Sequence, residues 1–158
     1  MALVWRLSPP AYAETLDGEG NRIFGARWNS PGRGVVYTCD TLSLCVLETY
    51  VHFPSAQREV IPDYEAVQIS IPDDAGTRLI QAKEFEDLLE TDDPMTAFRE
   101  IGNNWLAAAR DLALIAPSVV VPEDMNVMLN PTHPRMKDVR IARRRRFRFD
   151  PRLVVQKR

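Results

Sequence analysis

The stretch Phe24-Gly25-Ala26-Arg27-Trp28-Asn29-Ser30-Pro31-Gly32-Arg33-Gly34-Val35-Val36-Tyr37-Thr38-Cys39-Asp40-Thr41-Leu42-Ser43-Leu44-Cys45-Val46-Leu47-Glu48 decides how this chain is read. Gly25 to Gly34 is rich in turn-forming residues and reads as a loop carrying Arg27, Trp28 and Asn29. Gly34 to Thr38 reads as a short strand. Leu42 to His52 reads as a helix, with Asp40 or Thr41 placed to accept its first free N–H groups. Glu48 lies four residues after Leu44, three after Cys45 and three before Val51, inside the apolar stripe. A carboxylate there is costly unless partnered, which makes Glu48 a candidate functional group. The plainer reading is a Glu at the stripe's edge that reaches water or an arginine.

The rest of the chain supplies mixed elements. Ala2 to Leu7 reads as a strand stopped by Pro9 and Pro10, with Arg6 as its one cation. Tyr12 to Asn21 reads as a loop. Tyr64 to Ile71 alternates as a strand, and Thr77 to Ile80 as a shorter one. Lys83 to Leu89 reads as an acidic amphipathic helix. Asp92-Asp93-Pro94 opens a longer helix to about Arg110, whose Phe98, Ile101 and Trp105 recur at helical steps. Leu112 to Ala116 and Ser118 to Val121 read as buried strands, or one strand broken at Pro117. Glu123 to Pro134 reads as a polar loop. Val139 to Phe149 is an arginine-rich strand, and Leu153 to Val155 a last short one. Helices and strands are mixed without a βαβ rhythm, so an α+β fold is expected over a doubly wound one.

At 158 residues the chain suits one domain, and 45% hydrophobic with 27% charged residues is ordinary for a water-exposed fold. No apolar run approaches the ~20 residues of a membrane span. Met1 to Leu7 is too short and too weakly basic for a signal peptide. Cys39 and Cys45 are the only cysteines and make a poor disulfide candidate, so a reduced, cytoplasmic setting is expected. The net charge of −2 hides an asymmetry: His133 to Arg158 carries eleven Lys/Arg and two Asp/Glu. That basic end suits an acidic partner, or it pairs with the chain's own acidic Glu84 to Asp93 region.

Several chemistries find little support. There is no Gly-rich phosphate loop followed by Lys-Ser/Thr. Glu48 and His52 are two ligands on one helix face, too few for a metal site, and no metal is expected. Cys45 sits in the apolar stripe, which argues against a Cys–His nucleophile. The run Arg143 to Arg146 and the Arg/Phe alternation that follows suit nucleic acid, through stacking on Phe and phosphate contact by Arg. A half-buried strand with Phe147 and Phe149 on the core face explains the alternation as well.

What remains is a set of polar residues embedded in apolar or turn-rich sequence: Arg6, Arg27, Tyr37, Glu48, Ser118 and Asn130. One ligand class uses them all. A dinucleotide pyrophosphate wants the planar, permanently charged forks of arginine. An aromatic ring wants a Tyr to pack on. A ribose wants a carboxylate, as does a glycosidic bond that breaks through an oxocarbenium-like state.

In these residues the chain resembles the RES domain family, the toxin halves of Xre–RES toxin–antitoxin pairs. The resemblance rests on Trp5-Arg6-Leu7, Gly25-Ala26-Arg27-Trp28-Asn29, Val35-Val36-Tyr37 and Leu47-Glu48. It continues through Pro117-Ser118, Asn130-Pro131 and Phe149-Asp150-Pro151-Arg152-Leu153. It implies a single domain over residues 1–158 with an ADP-ribosyltransferase-like fold: a mixed, mostly antiparallel β core with flanking helices. It implies NAD+ as substrate and cleavage of the nicotinamide–ribose bond, with ADP-ribose passed to water, phosphate or a protein. Glu48 and Arg27 would be catalytic, and Arg6, Arg27, Tyr37, Ser118 and Asn130 would bind the dinucleotide. The implied partner is an Xre-like antitoxin that blocks the active site, with no direct role for nucleic acid or membrane; a homodimer stays open. The alternatives are a transferase modifying one specific protein and, in another class, a nucleic-acid module using Arg140 to Arg152.

Overall fold

The computed structural model describes residues 1–54 and 61–153. Seven strands form one sheet: β1 (Ala2–Ser8), β2 (Val36–Cys39), β3 (Tyr64–Ile71), β4 (Thr77–Leu79), β5 (Ala113–Pro117), β6 (Met125–Leu129) and β7 (Arg140–Phe147). Their order is β4-β5-β6-β2-β1-β3-β7, with only the β4–β5 pair parallel. Four helices accompany them: α1 (Glu19–Arg22), α2 (Leu42–Val51), α3 (Ala82–Leu89) and α4 (Pro94–Ala108). The fold is α+β with a mixed, mostly antiparallel sheet, as the sequence implied.

The sheet is two ladders meeting at a seam. β1 pairs with β3 along its whole length, from Ala2↔Ile71 to Ser8↔Glu65. Against β2 it makes a single pair, Trp5↔Cys39. α2 covers this seam. Its Cys45 thiol donates to the Trp5 carbonyl over 2.9 Å, and Leu44 and Cys45 pack with Cys39, Trp5 and Leu7. Thr41 caps the helix by accepting from the Leu44 N–H at 3.1 Å. Asp40, the other cap candidate, instead accepts from the Met125 N–H.

Side-chain alternation sorts the sheet into two faces. Val36, Leu129 and Ala113 join Val4, Val67 and Ile69 on one face. Tyr37, Met128 and Leu114 lie on the other, under Trp28, Phe85 and Phe98. The next row on that second face is Cys39, Asn126 and Ala116. A polar Asn therefore lies beneath α2.

Three expectations are corrected. The segment Glu123 to Pro134 is not simply a loop: it contains β6, central between β2 and β5. Its polar flanks masked the alternation of Met125, Val127 and Leu129. Ser118 to Val121 is not a strand but a turn, closed by the Val120 and Val121 N–H groups donating to the Ser118 hydroxyl. Among the described residues, the basic end does not pair with Glu84 to Asp93. Arg144 pairs with Glu14 and Glu65, and Arg146 and Arg148 with Asp63. Antiparallel pairing of β7 with β3 brings Asp63 and Glu65 alongside, whereas Glu84 pairs with Arg78. Of the last expected strand, Leu153 ends a 3₁₀ turn, and Val154 and Val155 lie outside the described residues. No helix among the described residues is long and apolar enough to cross a membrane.

Candidate active site

Glu48 sits one turn before the end of α2, half-buried at the seam. Two donors converge on one carboxylate oxygen. The Ser118 hydroxyl donates to Oε1 at 2.8 Å, and the Asn126 side-chain amide donates to the same atom at 2.7 Å. Oε2 has no hydrogen-bond partner among the described residues. The carboxylate is thus held in one orientation with one oxygen available, beside a cleft of about 800 Å³. That volume lies within the range of small-molecule sites.

The loop expected from the central stretch forms the facing wall, and α4 holds it in place. Arg99 Nε donates to the Ala26 carbonyl at 3.0 Å. Asn103 accepts from the Ser30 N–H and donates to the Ser30 hydroxyl. Between these contacts the Trp28 backbone lies directly on Gly102, where a Cβ would come within 1.8 Å of the Trp28 carbonyl oxygen. Gly25, at φ +70°, begins the turn; a Cβ there would meet the Asn29 carbonyl oxygen at 2.6 Å. Arg27 projects from this loop to line the cleft, its guanidinium carbon 5.0 Å from the Phe98 ring centroid.

The Tyr37 ring lines the same cleft. Its hydroxyl is occupied: it accepts from the Trp28 N–H at 3.0 Å and donates to Asn29 Oδ1 at 2.7 Å. Asn29 in turn donates to Asn21 and to the Arg33 carbonyl. Tyr37 therefore clamps the Arg27 loop and offers the cleft a ring face. Burial pushes its phenol well above the usual tyrosine range.

Four of the six sequence-derived residues meet here: Arg27, Tyr37, Glu48 and Ser118. Two do not. Arg6 is absent from the cleft lining and donates to the Thr15 carbonyl at 2.7 Å. Burial lowers its guanidinium pKa, opposed by the nearby charge of Asp17. Period-2 alternation puts Arg6 on the opposite face of β1 from Trp5 and Leu7, which pack under α2. Asn130 is fully buried, donates to the Leu106 carbonyl and accepts from the Thr132 N–H and hydroxyl. It shapes a turn.

Sequence reasoning missed Asn126 and Arg99. Asn126 stands in the alternating run Met125 to Leu129, where a polar residue on an inward face was the available signal. Arg99 lies on α4 at helical spacing from Met95 and Gly102, the face that carries the loop. Cys39 and Cys45 line the cleft as free thiols. Hydrogen bonding with Cys45, and then burial, push the Cys39 thiol up, so it is held as a thiol rather than a nucleophilic thiolate. Among the described residues there is no group of three or more His, Cys, Asp or Glu that could hold a metal ion.

Comparison with known proteins gives consistent results. The family model described as RES domain matches residues 3–150. A protein of Sphingobium sp. (strain YBL2) named Prs ADP-ribosylating toxin is 30% identical over 155 residues, covering 95% of each chain. A protein of Yersinia enterocolitica named Toxin Res is 32% identical over 142 residues, covering 89% of this chain and 91% of its own. Among solved structures, the M. tuberculosis MbcT–MbcA toxin–antitoxin complex contains a chain of similar fold. Its TM-score is 0.73 at 19% identity, over 92% of this chain and 83% of that one.

Proposed function

The chain belongs to the RES domain family, and from that premise we propose that it is the toxin of a toxin–antitoxin pair and acts by cleaving NAD+ between nicotinamide and ribose. The observation that carries this reading is the Glu48 carboxylate beside the cleft, tied through Oε1 to Ser118 and Asn126, with no partner for Oε2 among the described residues. A fixed negative charge of this kind stabilises an oxocarbenium-like ribose and accepts a ribose hydroxyl hydrogen bond.

In this mechanism Arg27 holds a phosphate, and the Tyr37 ring packs beside nicotinamide while its hydroxyl keeps the loop in place. The bond between ribose C1′ and the nicotinamide nitrogen breaks, and its electron pair leaves with neutral nicotinamide. The cation at C1′, opposite Glu48, is captured by an acceptor that gives up a proton. Water, phosphate or a protein side chain each completes the balance. The partner implied by a toxin is a cognate antitoxin that covers the cleft. Transfer to one specific protein is the second reading, favoured by the name of the Sphingobium relative.

The test is release of free nicotinamide from NAD+ by the purified protein, alone, with phosphate, and with cell lysate. Wild type should release it, and Glu48→Gln should lower the rate by roughly 10²-fold or more, as loss of a preorganised electrostatic group does. Absence of release under all three conditions overturns the proposal. Radiolabelled NAD+ in the lysate arm separates the acceptors: a discrete labelled protein means transfer, and free ADP-ribose or its phosphate means depletion.

A further inference from the structure

Two half-buried arginines face the cleft with no counter-ion among the described residues. Arg27 rests on the Phe98 ring and Arg99 on the Ala26 carbonyl, so each is anchored on the residue preceding the other. Both line the cleft. Neither has a carboxylate within ion-pair distance among the described residues, and both Nη groups of Arg99 lack a partner there. Elsewhere the fold neutralises such a group: Arg135, equally half-buried, is paired with Asp74 and Asp138. The single Nε bond leaves the Arg99 fork aligned and its two outer nitrogens available. Two cations lining one cleft repel each other, and their placement is stabilised when an anion of matching charge binds.

We infer that Arg99 is a second pyrophosphate-binding residue, and that its two free Nη groups with the Arg27 guanidinium form paired forks for the diphosphate of a dinucleotide. Arg99 thereby fills the role that the sequence reading gave to Arg6. A diphosphate carries two to three negative charges and planar sets of acceptor oxygens, which two guanidinium forks match bidentately. The loop–helix contacts at Gly102 and Asn103 set the spacing of the two forks before ligand arrives, so little ordering accompanies binding. This inference rests on the dinucleotide reading of the cleft.

The experiment uses the full-length chain and two probes that divide the dinucleotide: ADP, which carries the diphosphate, and nicotinamide riboside, which carries none. Affinities are measured by titration calorimetry for wild type, Arg99→Gln and Arg99→Lys, with thermal midpoints as a check on folding. Arg99→Gln should weaken ADP about tenfold or more, the scale of a lost charge-assisted pair, while leaving nicotinamide riboside within about twofold. Arg99→Lys should recover part of the ADP affinity, because it keeps the charge and loses the fork. ADP affinity unchanged in Arg99→Gln overturns the inference. So does an equal loss for both probes, which would mean that Arg99 only holds the Ala26 loop, and so does a wild type that binds no ADP. If wild type releases nicotinamide while ADP affinity ignores Arg99, the cleavage proposal stands and this inference falls. If ADP binding depends on Arg99 but no nicotinamide is released, this inference stands and the cleavage proposal falls.

Discussion

The side-chain amide of Asn126 donates to Glu48 Oε1 over 2.7 Å, across a sequence separation of 78 residues. The bond runs from the central strand β6 to the helix over the seam, and so ties the sheet to the candidate catalytic carboxylate. Asn126 Oδ1 faces the Cys39 thiol at 3.4 Å, which fixes the amide's orientation and presents its N–H to Glu48. Asn126→Ala should lower NAD+ turnover by roughly 10- to 100-fold, since a hydrogen bond to a charged group is worth about 1.5–3 kcal/mol. Asn126→Asp should cost more, by setting a second carboxylate against Glu48. Turnover number and KM, measured with the thermal midpoint, check this; an Asn126→Asp enzyme of normal turnover would refute it.

Tyr37→Phe should loosen the Arg27 loop. The substitution strands the Trp28 N–H and Asn29 Oδ1, for a cost of about 1–3 kcal/mol. The expected kinetic signature is a raised KM for NAD+. The pH dependence has a definite sign. Because burial raises the folded pKa of Tyr37, its phenol stays protonated while an unfolded chain ionises near the reference value of about 10. The stabilisation is complete below that pH and is lost as pH rises toward the folded pKa. Burial of Tyr64 adds a contribution of the same sign. Urea unfolding between neutral and alkaline pH should therefore show stability falling above about pH 10, with a shallower fall in Tyr37→Phe.

Gly102→Ala should act at a distance from the cleft chemistry. A methyl group 1.8 Å from the Trp28 carbonyl oxygen cannot be accommodated without moving the loop off α4. Overpacking of this kind costs about 1–3 kcal/mol or more. A thermal midpoint lower by about 2–4 °C per kcal/mol is expected. The displaced loop carries Arg27, so NAD+ affinity should fall with it. An unchanged midpoint would show that the loop is not seated on α4 as described.

Asn130→Ala should separate fold from site. Its amide joins the Leu106 carbonyl to the turn at Thr132, and its loss leaves buried groups unpaired at a cost of about 1–3 kcal/mol. Differential scanning calorimetry should show a lowered midpoint. Turnover per folded molecule should decline less than in Asn126→Ala. A reversed ranking would place Asn130 in the catalytic machinery, against its observed contacts.

Much of the central stretch was legible because its signals are local. Thr41 caps α2 as its side chain allows, Gly25 takes the positive φ that only glycine adopts cheaply, and Glu48 stands out by helical spacing. The Asn126 strand was not legible in the same way. Its five residues sit among Asp, Asn and Pro, and its burial comes from pairing with β2 and β5. Arg99 was hidden for a related reason. On a helix rich in charged and apolar residues, nothing marks which arginine faces a loop located some seventy residues earlier.

The class of fold, the loop–strand–helix order around Glu48 and the polar residues embedded in apolar stretches are all written in local sequence. Backbone preference and side-chain period are encoded within a few neighbouring residues, so these could be read directly. Which of those side chains meet depends on contacts between distant segments. Ser118 and Asn126 reach Glu48 from 70 and 78 residues away because β6 inserts between β2 and β5. Arg6 leaves the cleft because strand alternation turns it to the other face, and Arg99 reaches the cleft because Gly102 lets the Trp28 backbone lie against α4. Each outcome depends on strand order and close packing between distant segments, which no local pattern contains.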